Sequence, residues 1–191
     1  MGPSGLVLSG ILANYGIKVG IFERKESTVK EPRAVSIDDE SLRVLQSFSL
    51  HKAVLNNVSQ NYGSYYYDAK GKLFLKVEPN SRENGFYKRN AFDQPTFERT
   101  LRKHLEKQKN IKIYFSHTLV SIKNEASRVI ANFKDRKGLK KSFLAEYLVG
   151  CDGGQSTVRK IIGGIMKGNS FNQSWLVVDI HKTSNFFRHT E

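Results

Sequence analysis

The sequence predicts an α/β fold in which a parallel, helix-linked unit carries an antiparallel meander, and three stretches predict it. Met1-Gly2-Pro3-Ser4-Gly5 opens an apolar run to Tyr15-Gly16, followed by Lys18-Val19-Gly20-Ile21-Phe22-Glu23. This is the layout of a dinucleotide-binding turn, the helix it opens and the next strand. Leu119 to Lys123, Arg128 to Phe133 and Ser142 to Ala145 read as a meander that turns at Asp135-Arg136-Lys137-Gly138. Tyr147 to Gly150 reads as an apolar strand ending in Cys151-Asp152-Gly153-Gly154, and open sheets bind ligands at the carboxyl ends of such strands.

In the opening turn, a glycine at position 2 lets a pyrophosphate approach the backbone, and one at position 5 lets the helix pack closely on the sheet. The helix amino terminus presents unpaired N–H groups to an anion. Leu6, Val7, Ile11 and Leu12 supply the buried side, and Gly16 suits the left-handed position that ends a helix. Glu23 falls roughly twenty residues beyond the turn, where an acidic side chain accepts hydrogen bonds from a ribose diol. The full pattern is G-x-G-x-x-G behind a buried strand, and here the first glycine and that strand are missing. The two glycines therefore carry weight only together with the helix, Gly16, the strand and Glu23.

With 191 residues, 39% apolar content and 15 glycines, the chain can bury the core of one domain or somewhat more. A single cysteine, Cys151, excludes an internal disulfide and suits a reducing cytoplasm. No basic or histidine partner stands near it in sequence, so it reads as a buried structural residue. His51, His104, His117, His181 and His189 lack metal-ligand spacing, and no metal site is expected. No stretch has the apolar length of a membrane span, and the start lacks the layout of a signal peptide. The formal charge of +13 concentrates in Arg99 to Lys112 and Lys134 to Lys141. The first is a helix whose Phe97, Leu101 and Leu105 recur every four residues, with basic side chains on its solvent face. The second is a turn between strands. Neither has the layout of a helix-turn-helix, a zinc finger or a basic strand with interleaved aromatics, so a solvated lysine-rich surface is favoured over a nucleic-acid footprint. A positive field also favours anionic cofactors.

Between these landmarks, Arg33 follows a proline-stiffened loop, where a guanidinium can hold phosphate oxygens in a bidentate fork. Residue types alone favour a surface arginine paired with Asp38 or Asp39. Ser36 or Asp38 is placed to cap a helix with Ile37, Leu42, Leu45 and Phe48 on its apolar side. Ser64 to Asp68 and Leu73 to Val77 flank Ala69-Lys70-Gly71-Lys72 as a hairpin, with Tyr65, Tyr66 and Tyr67 assigned to core packing. Phe86 to Phe92 reads as a strand leading into Asp93-Gln94-Pro95-Thr96, where Pro95 occupies the first helical turn and the Gln94 amide can cap the helix or reach a ligand. Ile111 to Phe115 returns as a strand. Ser156 caps a helix that buries Val158, Ile161 and Ile162, and Ser174 to Ile180 is an apolar strand. Asp152 is a site candidate, against the plainer reading of an aspartate-glycine turn.

Six blocks stand in an order found elsewhere. They are Gly2-Pro3-Ser4-Gly5, Phe22-Glu23-Arg24, Pro32-Arg33-Ala34 with Ile37-Asp38-Asp39-Glu40, Arg89-Asn90-Ala91-Phe92 with Gln94-Pro95, Leu148-Val149-Gly150-Cys151-Asp152-Gly153-Gly154, and Trp175-Leu176-Val177-Val178-Asp179. In these the chain resembles the FAD-dependent aromatic hydroxylases, single-component flavoprotein monooxygenases similar to 4-hydroxybenzoate hydroxylase, and most of all the 3-(3-hydroxyphenyl)propanoate hydroxylase subgroup. The resemblance covers essentially the whole chain, but only the amino-terminal part, well under half, of a family member. It implies an α/β FAD-binding dinucleotide fold, incomplete because the first strand is missing, with an inserted antiparallel β-meander. Residues 1–170 would form the partial FAD-binding domain, and residues 171–191 would open the substrate-binding domain.

The same resemblance implies roles. Gly2 and Gly5 would face the FAD pyrophosphate and Glu23 the adenosine ribose, while Arg24, Arg33 and Gln94 help hold the cofactor. Asp152 and Gly153, in the aspartate-glycine motif, are associated with pyrophosphate and pyridine nucleotide, and Arg159 follows the same motif. In such enzymes NADH or NADPH reduces the flavin, oxygen forms a flavin C4a-hydroperoxide, and its distal oxygen passes to a phenolic ring. The implied partners are a small aromatic substrate and molecular oxygen, with no nucleic acid and no membrane. Full-length members leave room for a homo-oligomer. No catalytic side chain and no metal ligand is assigned. The family's later glycine-aspartate fingerprint is absent as well, and the missing strand would be central in the sheet. Each buried polar group left unsatisfied costs about 1–3 kcal/mol, against a typical total stability of about 5–15 kcal/mol. The 191 residues alone are therefore expected to fold poorly and to hydroxylate nothing. A same-fold halogenase or epoxidase, and a non-enzymatic basic binding remnant, stay open as alternatives.

Overall fold

The computed structural model describes residues 1–28, 34–169, 171, 173 and 174. Helix α1 (Pro3–Asn14) starts where the extended backbone of Gly2 meets Pro3, whose fixed φ and missing N–H suit the first helical position. It ends as Gly16 takes a φ of +76°, the left-handed turn expected there. Leu6 is wholly buried, and Val7, Ile11 and Ala13 pack against the core. Strand β1 (Val19–Phe22) follows.

Next come β2 (Ser36–Ile37) and α2 (Asp39–Gln46). Asp38 is the cap of α2, accepting from the Ser41 N–H at 2.8 Å. Leu42, Leu45 and Phe48 are buried, while Ile37 belongs to the strand rather than to the helix. After α3 (His51–Leu55) come β3 (Val58–Gln60) and the hairpin β4 (Ser64–Tyr67) with β5 (Leu73–Val77). Strand β6 (Asn90–Phe92) joins β2 and β3 in a small antiparallel sheet. Helix α4 (Gln94–Leu105) then packs on α1 and buries Phe97, Leu101 and Leu105. Strand β7 (Ile111–Tyr114) returns to pair with β1 in parallel, in the register Val19↔Ile111 to Phe22↔Tyr114. Strands β8 (Thr118–Glu125), β9 (Arg128–Lys134) and β10 (Lys140–Ala145) form the antiparallel meander. A short helix α5 (Thr157–Ile161) closes the described elements.

The meander is fastened to the parallel pair by aromatic rings. Phe22 stacks on Tyr114 at 4.8 Å and on Phe133 at 4.2 Å, and Phe143 meets it edge-on at 4.7 Å. Such contacts are worth about 0.5–1.5 kcal/mol each beyond the area they bury, and here they fix the end of β1.

Several expectations are corrected. Tyr65, Tyr66 and Tyr67 are each 45% exposed rather than in the core, because β4 and β5 pair only with each other among the described residues and a two-stranded hairpin has no second layer to bury a face against. Residues 147–150 form no hydrogen-bonded strand. A strand needs a neighbour for its N–H and C=O groups, and among the described residues β1 pairs with β7 alone. Cys151 is exposed, not buried, since it sits in this unpaired segment. For the same reason α5 buries no residue, and Ile162 beyond it is 65% exposed. The strand expected over Phe86 to Phe92 shortens to its last three residues, with Phe86 buried off the ladder. The strand expected over Ser174 to Ile180 lies, after Ser174, outside the described residues. No helix among them is long and apolar enough to cross a membrane.

Candidate functional site

The candidate site is assembled around the start of α1. Gly2 is the N-cap, with extended backbone and no side-chain cap. Pro3 has no N–H, and the N–H groups of Ser4 and Gly5 have no acceptor within the helix. A Cβ placed on Gly2 would meet nothing within 4 Å, whereas one on Gly5 would meet the Cys151 Cβ at 3.4 Å. Position 2 is thus open on its outer side, and position 5 holds α1 against the Cys151-Asp152-Gly153 segment.

Glu23 ends β1 and is 8% exposed. Its backbone is held from both sides: the N–H donates to the Tyr114 carbonyl at 2.9 Å, and the carbonyl accepts from the His117 N–H at 2.9 Å. The carboxylate accepts the Lys25 N–H at 2.7 Å on one oxygen and pairs with the Met1 amino group on the other. That pairing places the acid beside the start of α1. Burial lowers the pKa of the Met1 amine, the Glu98 charge raises it, and Lys25 and Arg24 lower it further. Arg24 itself is exposed.

Gln94 follows the α4 cap, Asp93, whose carboxylate accepts the Thr96 N–H at 2.9 Å. Gln94 therefore does not cap the helix. It is buried, and its amide bridges two elements: Oε1 accepts the Ala34 N–H at 2.9 Å, and Nε2 donates to Glu98 Oε1 at 2.8 Å. Arg33, one residue before Ala34, lies outside the described residues.

Asp152 is committed to its own turn. One carboxylate oxygen takes the Ser156 hydroxyl, and the other takes the N–H groups of Thr157 at 2.6 Å and Val158 at 3.0 Å. Burial pushes its pKa up, but the bonds from Ser156, Val158 and Thr157 outweigh it and hold the carboxyl below its ordinary value. Gly153 takes a φ of +80° in this turn. The Arg159 guanidinium donates to the Gly154 carbonyl at 2.6 Å, tying it to the same loop. Partial cover of the Cys151 thiol and the neighbouring Asp152 charge raise that thiol's pKa.

Glu23 thus meets Met1 next to Gly2, Gly5 meets Cys151 next to Asp152 and Gly153, and Gln94 is bonded to Ala34 and Glu98. Sequence reasoning missed two buried polar residues. Asn90, 0% exposed, donates to the carbonyls of Ile37 at 3.2 Å and Tyr87 at 2.7 Å, holding the segment that leads to Ala34. Glu98, also 0% exposed, stands on the same face of α4 as Phe97, Leu101 and Leu105. A lone acid inside that apolar periodicity was the signal that could have found it.

Uncapped N–H groups, an open Gly2 and a buried acceptor carboxylate beside them suit a pyrophosphate and a ribose diol. Fold and site together define a dinucleotide-binding α/β protein. Residues 1–191 match the FAD binding domain family, and the chain belongs to it. It is 34% identical over 179 residues to the 3-(3-hydroxy-phenyl)propionate/3-hydroxycinnamic acid hydroxylase of Comamonas testosteroni, covering 94% of this chain and 30% of that protein. The protein of the same description from Shigella sonnei is 33% identical, with 94% and 32% covered. Among solved structures, p-nitrophenol 4-monooxygenase from Pseudomonas putida superimposes with a TM-score of 0.78 at 24% identity, over 85% of this chain and 41% of that one. A flavin-dependent monooxygenase in complex with FAD and substrate gives 0.76 at 19% identity, over 85% and 30%. These structural likenesses bear on the fold. The chain spans 30% to 32% of the length of the two hydroxylases it matches.

Proposed function

We propose that the chain is the amino-terminal portion of an FAD-dependent, NADH- or NADPH-using monooxygenase that hydroxylates a phenolic compound of the 3-(3-hydroxyphenyl)propanoate type. The observation that carries the reading is the buried Glu23 carboxylate held beside the uncapped start of α1, in a chain that belongs to an FAD binding domain family. The flavin, when bound, supplies the redox and oxygen chemistry. The residues of this chain hold and orient it. The first-turn N–H groups of α1, with Gly2 and Gly5, take the pyrophosphate, and Glu23 accepts from the adenosine ribose. Arg24 and Arg33 add positive charge, Gln94 fixes the residue after Arg33, and Asp152 shapes the turn that offers Gly153. No side chain of this chain is assigned a chemical step.

The organisation that goes with this reading is a partial FAD-binding domain over residues 1–170 and the opening of a substrate-binding domain over residues 171–191. The β8–β10 meander is an insertion in the first. A further parallel strand belongs on the free edge of β1, between it and residues 147–150. Support for that strand comes from Tyr147 and Val149, which are 83% and 62% exposed, and from Leu8 and Leu12, which are only half-buried on a helix apolar nearly all round. With these faces uncovered, the 191 residues alone have a small stability margin and hydroxylate nothing. The partners are a small aromatic substrate and molecular oxygen, and the compartment is the cytoplasm. Substituting residues 1–191 for the matching segment of the Comamonas testosteroni hydroxylase tests the proposal. The chimera is expected to retain FAD and to oxidise NAD(P)H in step with substrate hydroxylation. A folded chimera that leaves FAD unbound would overturn it.

A further inference from the structure

We propose that Glu98 is a positioning residue for the cofactor: its carboxylate sets the orientation of the Gln94 amide and, through it, the place of the Ala34 backbone N–H. The inference rests on the reading of this site as an FAD site. It starts from a physical anomaly. Glu98 is 0% exposed, one of its oxygens accepts from Gln94 Nε2 at 2.8 Å, and the other is buried without a hydrogen-bond partner. Buried carboxylates are costly and are ordinarily paired in full, so a hydrophobic residue on this face of α4 would serve stability better. What the acid supplies is direction.

The Gln94 amide has two nearly isosteric orientations, distinguished only by their hydrogen bonds. With its oxygen toward the Ala34 N–H and its nitrogen toward Glu98, both contacts are favourable, at 2.9 and 2.8 Å. Flipped, the amide would set its N–H₂ against the Ala34 N–H and its oxygen against a carboxylate, and both contacts would repel. Glu98 Oε1 accepts from Gln94 Nε2 in the observed arrangement, so Glu98 disfavours the second orientation. The beneficiary is the Ala34 N–H, which follows Arg33 directly in the chain. Gln94 and Glu98 are one helical turn apart on α4, so the relay is rigid.

Backbone amide exchange at Ala34 tests this in the cofactor-free chimera that carries residues 1–191 in the Comamonas testosteroni hydroxylase. Glu98→Leu is expected to raise exchange at Ala34 about tenfold, the loss of one well-oriented hydrogen bond, while the buried amides of Leu101 and Leu105 keep their protection. Glu98→Gln, which can still present an oxygen to Gln94, is expected to restore it. Should Glu98→Leu fail to fold, the wild-type chain decides. The side-chain amide of Gln94 must exchange far more slowly than that of the exposed Gln155, and equal rates overturn the proposal. So does unchanged Ala34 exchange in a folded Glu98→Leu chain. FAD titration of the same variants separates the two readings. If FAD binds wild type and the Glu98→Gln chain more tightly than the Glu98→Leu chain, both stand. If FAD binds none of them, the cofactor reading fails while the exchange data still judge Glu98.

Discussion

Gly2→Ala separates what the fold requires at the start of α1 from what a ligand requires. The Gly2 backbone, at φ −102° and ψ −179°, is open to any residue, and an added Cβ meets nothing within 4 Å. Replacing glycine stiffens the unfolded chain, a gain of about 0.4–1 kcal/mol. Alanine is a poorer N-cap than glycine, a loss of about the same size. The two effects offset, so thermal stability should hold within about 1 kcal/mol, or about 2–4 °C in Tm for a chain of this length. A pyrophosphate lying on this backbone meets the new methyl group directly. Overpacking of that kind costs about 1–3 kcal/mol, which corresponds to a loss in FAD affinity of about tenfold or more. Differential scanning fluorimetry and flavin fluorescence titration on the same preparations read the two quantities. An unchanged FAD affinity would refute the placement of the pyrophosphate, and a large drop in Tm would refute the claim that position 2 is free of the fold.

Two further substitutions probe neighbouring features. Gly10→Ala should behave in the opposite way, because its Cβ would lie 2.6, 2.9 and 3.1 Å from atoms of the Phe48 ring, which is 5% exposed and would have to shift. It should cost ~1–3 kcal/mol with no effect on nucleotide binding beyond what unfolding explains, as denaturant titration would show. Asp152 has a folded pKa below its ordinary value, so its stabilisation is present above the ordinary aspartate range of about pH 4 and is lost as pH falls through the folded pKa. Asp152→Asn should therefore lower stability at neutral pH and narrow its difference from wild type in acid. A constant difference across pH would contradict the cap assigned to that carboxylate.

The parts of the fold that were legible in the sequence are those fixed by local chemistry. Pro3 and Gly16 bracket α1, Asp38 caps α2, Asp93 and Pro95 begin α4, and alternating residues with polar turns mark the meander. The misplaced residues depend on what lies across from them. Tyr65 to Tyr67 carry strong strand propensity, but propensity does not say whether a second layer exists to cover them. Tyr147 to Gly150 has the composition of a buried strand and forms no ladder without a neighbour to pair with. The positions of Gly2, Gly5 and Glu23 about the start of α1 were legible because their spacing follows from one turn, one helix and one strand. Gln94 was placed at a helix start, yet its actual bonds, to Ala34 and Glu98, join residues 60 apart and four apart. No local pattern announces the longer bond.

The central claim is that these residues grip the adenosine end of FAD, and titration of the cofactor-free chimera that carries residues 1–191 in the Comamonas testosteroni hydroxylase with FAD, FMN and ADP tests it most directly. FAD is expected to bind saturably, ADP to displace it, and FMN, which lacks the adenosine, to bind far more weakly. Binding should weaken sharply in Glu23→Leu. Binding of FMN as tight as that of FAD, or no displacement by ADP, would contradict the claim.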